Sequence, residues 1–164
     1  MHQAGEVTRR YPIAAILLAV YTAAVLMMTI GPVRQRLEGS EAPLGVLSLD
    51  RWVEASTWET GAAYEFIFNV LLFVPWGVLA VLALGERRWW LAAILGLGLT
   101  LAIEIIQIPL ARISDPRDLA ANAMGALIGV TIGLVVRWAQ LLVSPASVPL
   151  SARRVAPAAQ PPEG

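Results

Sequence analysis

The side chains best suited to chemistry in this sequence are concentrated in one short stretch, residues 104–122. Glu104 and Asp118 carry carboxyl groups, which act as general acids or bases where burial and neighbouring charges tune them. We predict these two as the catalytic residues if the protein is an enzyme, which the sequence leaves open. The predicted substrate-binding residues are amides, an arginine and a further carboxylate: Asn69, Gln107, Arg112, Asp115 and Asn122.

The composition excludes several other kinds of site. The chain has no cysteine and its one histidine is at position 2, so thiol and imidazole catalysis are excluded. No metal site is predicted, and the cofactor stays open, because two or three carboxylates could still hold a divalent cation through oxygen ligands. The 12 basic and 12 acidic residues give a net charge of zero, so we expect no nucleic acid partner.

Four long apolar segments must position these side chains. The chain is 57% hydrophobic and only 15% charged, against about 25% charged residues in average soluble domains. Because about 20 apolar residues cross a bilayer, we predict an all-α polytopic membrane helical bundle with four transmembrane helices. The predicted spans are residues 12–30, 66–84, 89–110 and 119–136, within a membrane domain of residues 1–140. Residues 141–164 are rich in proline and alanine and are predicted as a disordered cytoplasmic tail.

The arginine distribution predicts the orientation. If both termini lie on one side, that side holds seven arginines and the opposite side five, which favours cytoplasmic termini in a multi-pass protein of the cell membrane. The first span could instead be a signal sequence, although it is longer than the usual apolar region of one. The connection at residues 31–65 then lies outside, either as a solvated loop or with a helix in the membrane interface.

The predicted topology brings the polar side chains of the spans to one depth, in the outer half of the membrane. They are Asn69, Glu104, Gln107, Asp118 and Asn122. An ionisable residue inside a membrane indicates a functional site, so we expect one outward-facing polar pocket. In this pocket Glu104 either pairs with Arg112 or has a raised pKa and stays neutral, which would suit a general acid or base. The alternatives are that the amides only join helices by hydrogen bonds, that Asp118 is a helix N-cap, and that Arg112 reaches the headgroups.

Small residues on the fourth span predict close helix packing. Gly125, Gly129 and Gly133 recur every four residues and share a helical face with Asp118 and Asn122. Such spacing lets two helix backbones approach closely. We expect this glycine face to point into the bundle. The same glycines could also form the contact of a homo-oligomer.

At these residues the sequence resembles the VanZ-like family of small bacterial membrane proteins. The family pattern Asn-x-x-Leu-Phe-x-Pro-x-Gly is matched by Asn69, Leu72, Phe73, Pro75 and Gly77. Its later elements are matched in the same order by Glu104, Gln107, Arg112, Asp118, Asn122, Gly125 and Gly129. The resemblance covers residues 66–133 and implies a helical membrane bundle.

The namesake of the family is associated with resistance to the glycopeptide teicoplanin, so the resemblance implies a cell-envelope role and a link to antibiotic resistance. From the residues, we expect the pocket to bind or act on a lipid-linked component, either a cell-wall precursor or a phospholipid headgroup. Arg112 would bind a phosphate or carboxylate of that component. One alternative is a non-catalytic membrane factor, and another is a small transporter subunit in which Glu104 relays protons.

Overall fold

The structure, a computed structural model, describes residues 11–30, 44–59, 62–110 and 114–143. These residues form helices α1 (Tyr11–Ile30), α2 (Leu49–Val53), α3 (Ala55–Glu59), α4 (Ala63–Leu84), α5 (Trp89–Gln107) and α6 (Pro116–Val143), with 3-10 turns at Gly45–Leu47, Glu86–Arg88 and Ile108–Leu110. Within this part of the chain, α1, α4, α5 and α6 are long and apolar enough to cross a membrane. The predicted all-α membrane bundle with four transmembrane helices is confirmed.

Several helix ends differ from the predicted spans, and α4 begins at Ala63, three residues before the predicted start. α6 begins at Pro116 and continues to Val143, so it starts before the predicted residue 119 and passes the predicted domain boundary at 140. A proline favours the first position of a helix, where its missing N–H costs nothing. α5 changes to a 3-10 turn after Gln107, because Pro109 has no N–H to continue the helical ladder. Residues 144–164, predicted as a disordered tail, lie outside the described residues.

The backbones of α4 and α6 lie in direct contact through the glycine row. A β-carbon at Gly125 would collide with the carbonyl oxygen of Val70, and one at Gly129 with that of Val74. Gly133 lies against the next turn of α4 in the same way. The glycine face therefore points into the bundle, as the sequence indicates. Because α4 of the same chain covers these glycines, they are not available to a second copy, and the predicted homo-oligomer contact through them does not fit the structure.

The interior of the bundle is apolar below one end. We call this end, where α1 and α5 finish and α4 and α6 begin, the polar end. A buried cluster that includes Phe73 and Ile103 lies beneath it, and a second cluster around Trp76 and Val81 continues the core. The indole Nε1 of Trp76 donates a hydrogen bond to Thr22 Oγ1 at 2.9 Å, so its one polar atom is satisfied within the core.

Residues 44–59, which we call the cap segment, cover the turn that leads into α6. The indole of Trp52 donates to the carbonyl oxygen of Val46 at 2.9 Å, which folds the segment back on itself. The backbone N–H of Val46 in turn donates to Ser114 Oγ at 3.0 Å. Leu49 and Val53 of α2 are exposed by 81% and 86%. The described part of this connection contains two helices of five residues.

Candidate functional site

A cavity of about 640 Å³ opens at the polar end, between α1, α4, α5 and α6. Its polar lining residues are Thr29, Glu65, Asn69, Glu104, Gln107, Asp118 and Asn122. Five of the seven residues predicted from the sequence are therefore brought together around one space. The other two are placed differently: Asp115 is not among the described lining residues, and Arg112 lies outside the described residues.

Glu104 forms part of the cavity floor and is almost completely buried, with 1% of its surface exposed. Its Oε2 accepts a hydrogen bond from the backbone N–H of Asp115 at 3.0 Å, and the Ser114 side chain also hydrogen-bonds this carboxyl group. The backbone N–H of Val46 donates to the same serine oxygen, which leaves the hydroxyl hydrogen for Glu104. The partners of Glu104 in the described chain are thus the turn before α6, whereas the sequence suggested Arg112.

Ser114 is a residue of the site that the sequence reasoning missed. It is buried with 3% exposure and connects the cap segment to Glu104. A β-carbon at Gly45 would collide with the Ser114 side chain, so the cap segment packs directly on this serine. A serine directly before an Asp-Pro helix start is a local signal of a backbone turn, but nothing local indicates its contact with Val46, 68 positions away.

Asp118 and Asn69 form the opposite wall of the cavity. Asn69 Nδ2 donates to Asp118 Oδ1 at 2.9 Å, so an amide on α4 and a carboxylate on α6 are held side by side. The alternative that Asp118 is the N-cap of the helix is wrong, because α6 already begins at Pro116. Asp118 instead occupies the first turn, where a negative charge is favoured by the helix dipole.

Asp115 is the residue that caps α6. Its Oδ1 accepts from the backbone N–H of Arg117 at 2.9 Å, and its carbonyl oxygen accepts from the N–H groups of Asp118 and Leu119. Its Oδ2 lies 3.3 Å from Arg51 Nη2 of the cap segment. Asp115 therefore orders the helix start and the cap segment from outside the cavity lining, although we predicted it to bind substrate.

Gln107 joins α5 to the end of α1. Its Nε2 donates to the carbonyl oxygen of Thr29 at 2.9 Å, one of the last carbonyls of α1 that lack a partner within the helix. The same side chain lines the cavity. The Gln107 amide thus satisfies a carbonyl oxygen at the end of α1, and the same side chain contacts the cavity.

Asn122 is the one buried side chain of the described residues with an unsatisfied polar atom. It is 3% exposed and lines the cavity, and its Oδ1 accepts no hydrogen bond from any described group. A buried acceptor without a donor costs about 1–3 kcal/mol. Such an atom marks the place where a bound molecule gains most by supplying a donor.

The described lining of the cavity is acidic. Glu65, Glu104 and Asp118 contribute carboxyl groups, and no described lining residue is basic. Arg51 pairs with Asp115 outside the lining. Arg117 donates to the carbonyl oxygen of Ala62 at 3.3 Å and lies over the Phe66 ring. Within the described ranges, no group of three or more His, Cys, Asp or Glu side chains is arranged to hold a metal ion.

The exposed residues of the cavity lining lie at the bundle surface and are mostly apolar, with the carboxylate Glu65 among them. Met28 on α1 and Tyr64 and Phe68 on α4 line the cavity and are exposed by 56%, 71% and 52%. In a bilayer these side chains face the lipids next to the bundle. The cavity therefore has a polar floor and an apolar rim that is reached from the side.

Comparison with known proteins agrees with this architecture. The model of the VanZ/LLP1 family matches residues 18–137, a stretch that contains the cavity and all seven residues predicted for the site. No curated protein and no solved structure matches the chain. Since the family match covers most of the chain, including parts of all four long helices, the chain belongs to the VanZ-like family.

Proposed function

We propose that the cavity binds the polar headgroup of a membrane lipid or of a lipid-linked cell-envelope component. The observation that carries the proposal is the pairing of a polar floor with an exposed apolar rim in one space of about 640 Å³. A soluble metabolite needs only the polar floor. A lipid needs both the polar floor and the apolar rim, because its headgroup needs polar partners and its acyl chains need apolar contacts.

The geometry of the rim supports entry of the lipid from the side. Met28 and Phe68 lie on two different helices at the cavity mouth, and both are more than half exposed. Acyl chains against these side chains stay in contact with apolar surface while the headgroup enters the floor. Burial of apolar surface contributes about 25 cal/mol per Å², so even partial cover of the rim adds to the affinity of a lipid over its free headgroup.

The floor can select a headgroup because its polar groups are fixed. The Glu104 carboxyl group is held by two partners of the turn before α6, and Asp118 by Asn69. Groups that are already positioned lose little conformational entropy when they bind. In this proposal Glu104, Asp118 and Asn122 contact the headgroup. A catalytic role for Glu104 and Asp118 would be a second function, and it requires that the headgroup binds first.

The cavity faces the outer leaflet in this proposal. The structure identifies the polar end of the bundle. The proposal that this end faces outward rests on the arginine count, with seven arginines on the side of the termini and five on the other. Cell-wall precursors and phospholipids of the outer leaflet then reach the rim directly. By family membership, the cellular consequence we propose is a change in sensitivity to a glycopeptide such as teicoplanin.

The transporter alternative gains no support from the described interior. Between Glu104 and the opposite end of the bundle, the buried core consists of the two apolar clusters. Thr100 in this region donates to the carbonyl oxygen of Leu97 on its own helix. A proton relay needs a chain of polar groups across the membrane, and Glu104 is the only acidic or basic residue in α5.

The experiment is lipid binding to the purified protein, measured by thermal stabilisation and native mass spectrometry. The panel contains undecaprenyl-linked lipids and phospholipids with matched chains. Met28→Trp narrows the mouth of the cavity, whereas Met27→Trp places the same ring at a neighbouring exposed position outside the described lining. We expect Met28→Trp to raise the dissociation constant at least about fivefold, or about 1 kcal/mol, and Met27→Trp to leave it unchanged. Equal binding by both variants, or no binding by the wild type, would overturn the proposal.

The cellular part has its own test. Expression of the chain in a glycopeptide-sensitive bacterium should raise the inhibitory concentration of teicoplanin, and Met28→Trp should remove that effect while Met27→Trp retains it. An unchanged inhibitory concentration with membrane-inserted wild-type protein overturns the resistance role and leaves headgroup binding to be judged by the purified protein.

A further inference from the structure

We infer that the headgroup taken by the cavity carries a primary ammonium group that enters beside Glu104, Asp118 and Asn122. This inference rests on the proposed function and narrows it to one class of ligand. The shared chemistry is an aminated headgroup with N–H donors, whether it belongs to a lipid or to a free amine.

The first step is the sign of the charge. The described lining contributes three carboxyl groups and no basic side chain. Two arginines of the described chain near this end have other partners, Arg51 with Asp115 and Arg117 with the Ala62 carbonyl oxygen, and Arg112 lies outside the described residues. A phosphate brought to this floor would meet like charges, whereas an ammonium group forms charge-assisted hydrogen bonds with carboxylates.

The second step is the unpaired oxygen of Asn122. Its Oδ1 is buried, lines the cavity and accepts no hydrogen bond from the described chain. Only a donor satisfies an amide oxygen. A primary ammonium carries three N–H donors, enough for Asn122 and two carboxyl oxygens. A quaternary ammonium is also cationic but carries no N–H, so it leaves this oxygen unpaired.

The third step separates the ammonium from a metal ion. Two or three carboxylates can hold a divalent cation only when their oxygens converge on one point at about 2.0–2.6 Å. In the described residues no group of three or more His, Cys, Asp or Glu side chains is placed to hold a metal ion. Asp118 is already held by Asn69, and Glu104 by the turn before α6.

The test is a headgroup series on one set of acyl chains, bound to the full-length protein. The series runs from phosphatidylethanolamine through its N-methyl and N,N-dimethyl derivatives to phosphatidylcholine, with phosphatidylglycerol as the anionic member. We expect the dissociation constant to rise at each methylation and to be at least about tenfold higher for phosphatidylcholine. Equal affinity for phosphatidylethanolamine and phosphatidylcholine, or a preference for phosphatidylglycerol, would overturn the inference.

A matched pair of variants connects the preference to Asn122. Asn122→Leu removes the acceptor and keeps the branched shape of the side chain. Thr131→Val makes a similar change at an exposed hydroxyl that bonds only within α6, to Leu127. We expect Asn122→Leu to bind the two lipids with similar affinity and Thr131→Val to keep the preference. A preference that survives Asn122→Leu in the folded protein overturns the role of this oxygen.

Free ethanolamine distinguishes the two sources of the amine. Displacement of bound phosphatidylethanolamine by millimolar ethanolamine supports recognition of the ammonium alone and assigns the ligand to a soluble amine. Retained binding in ethanolamine, together with the methylation trend, assigns it to a lipid. The proposed function fails separately, by equal lipid binding to the Met28→Trp and Met27→Trp variants.

Discussion

Asn69 and Asp118 meet at 2.9 Å between the amide Nδ2 and the carboxylate Oδ1, although 49 positions separate them in the chain. The hydrogen bond joins the first part of α4 to the first turn of α6. Directly below it the same two helices pack through Gly125 and Gly129, with their backbones in contact. The polar wall of the cavity is thus fixed by a hydrogen bond above and by backbone packing below.

The first prediction concerns this hydrogen bond. Asn69→Ala should lower the free energy of unfolding by about 0.6 kcal/mol, the average for hydrogen bonds between membrane helices, and by no more than about 1.7 kcal/mol. The swapped double variant Asn69→Asp with Asp118→Asn keeps one amide opposite one carboxylate, so most of the stability should return. Equilibrium unfolding in mixed micelles measures both. A double variant no more stable than Asn69→Ala would show that the pair does not stabilise the bundle.

The second prediction concerns the glycine row. Gly129→Ala should lower the free energy of unfolding by about 1–3 kcal/mol, the usual cost of overpacking, because the new methyl group collides with the Val74 carbonyl oxygen. Gly98→Ala is the matched control, since nothing lies within 4 Å of a β-carbon there. Alanine is favoured over glycine in helices by about 1 kcal/mol, so this control should be neutral or stabilising. Equal effects of the two variants would contradict the close contact of α4 and α6.

The architecture could be predicted from the sequence because its signals are local. Apolar length alone identifies four spans, and the repeat of Gly125, Gly129 and Gly133 identifies the packing face. Helical spacing also places Glu104 with Gln107, and Asp118 with Asn122. Antiparallel helices then bring these pairs to one end, where the structure has its cavity. The chemical roles predicted for these residues stay predictions.

The support around the site could not be predicted, because it depends on the path of the cap segment. The contact of Ser114 with Val46 spans 68 positions, and that of Arg51 with Asp115 spans 64. No periodicity encodes contacts of this kind. The N-cap of α6, in contrast, could have been predicted from the sequence, since proline prefers the first helical position. Pro116 therefore already indicates Asp115, rather than Asp118, as the N-cap.

The third prediction separates the two bonds of Asp115. Asp115→Ala removes the cap of α6 and should lower the free energy of unfolding by about 0.5–2 kcal/mol. Asp115→Asn keeps an oxygen for the Arg117 N–H but loses the ion pair with Arg51. An ion pair near the surface contributes about 0–1 kcal/mol, so Asp115→Asn and Arg51→Gln should each have a small effect. If Asp115→Asn is as damaging as Asp115→Ala in the same unfolding assay, the ion pair and not the cap is the important contact.

The fourth prediction concerns the Glu104 carboxyl group, whose two functions can be separated. Glu104→Gln keeps an oxygen that accepts the Asp115 N–H, so the protein should fold with nearly unchanged stability. It removes an ionisable carboxyl group from the floor, so binding of an aminated lipid should weaken at least about tenfold, or about 1.4 kcal/mol. Glu104→Leu also leaves the buried Asp115 N–H without an acceptor, and it should cost a further 1–3 kcal/mol, roughly, in unfolding free energy.

Unfolding and lipid binding on the same preparations check this prediction, and the cellular phenotype extends it to chemistry. If Glu104→Gln binds the lipid as the wild type does, the charge of Glu104 is not part of recognition. If Glu104→Gln binds weakly but the cellular phenotype is unchanged, Glu104 is neither the catalytic residue nor the proton relay, because each role needs a carboxyl group that exchanges a proton. If binding is retained and the phenotype is lost, the carboxyl group acts after binding, which is the behaviour expected of an enzyme.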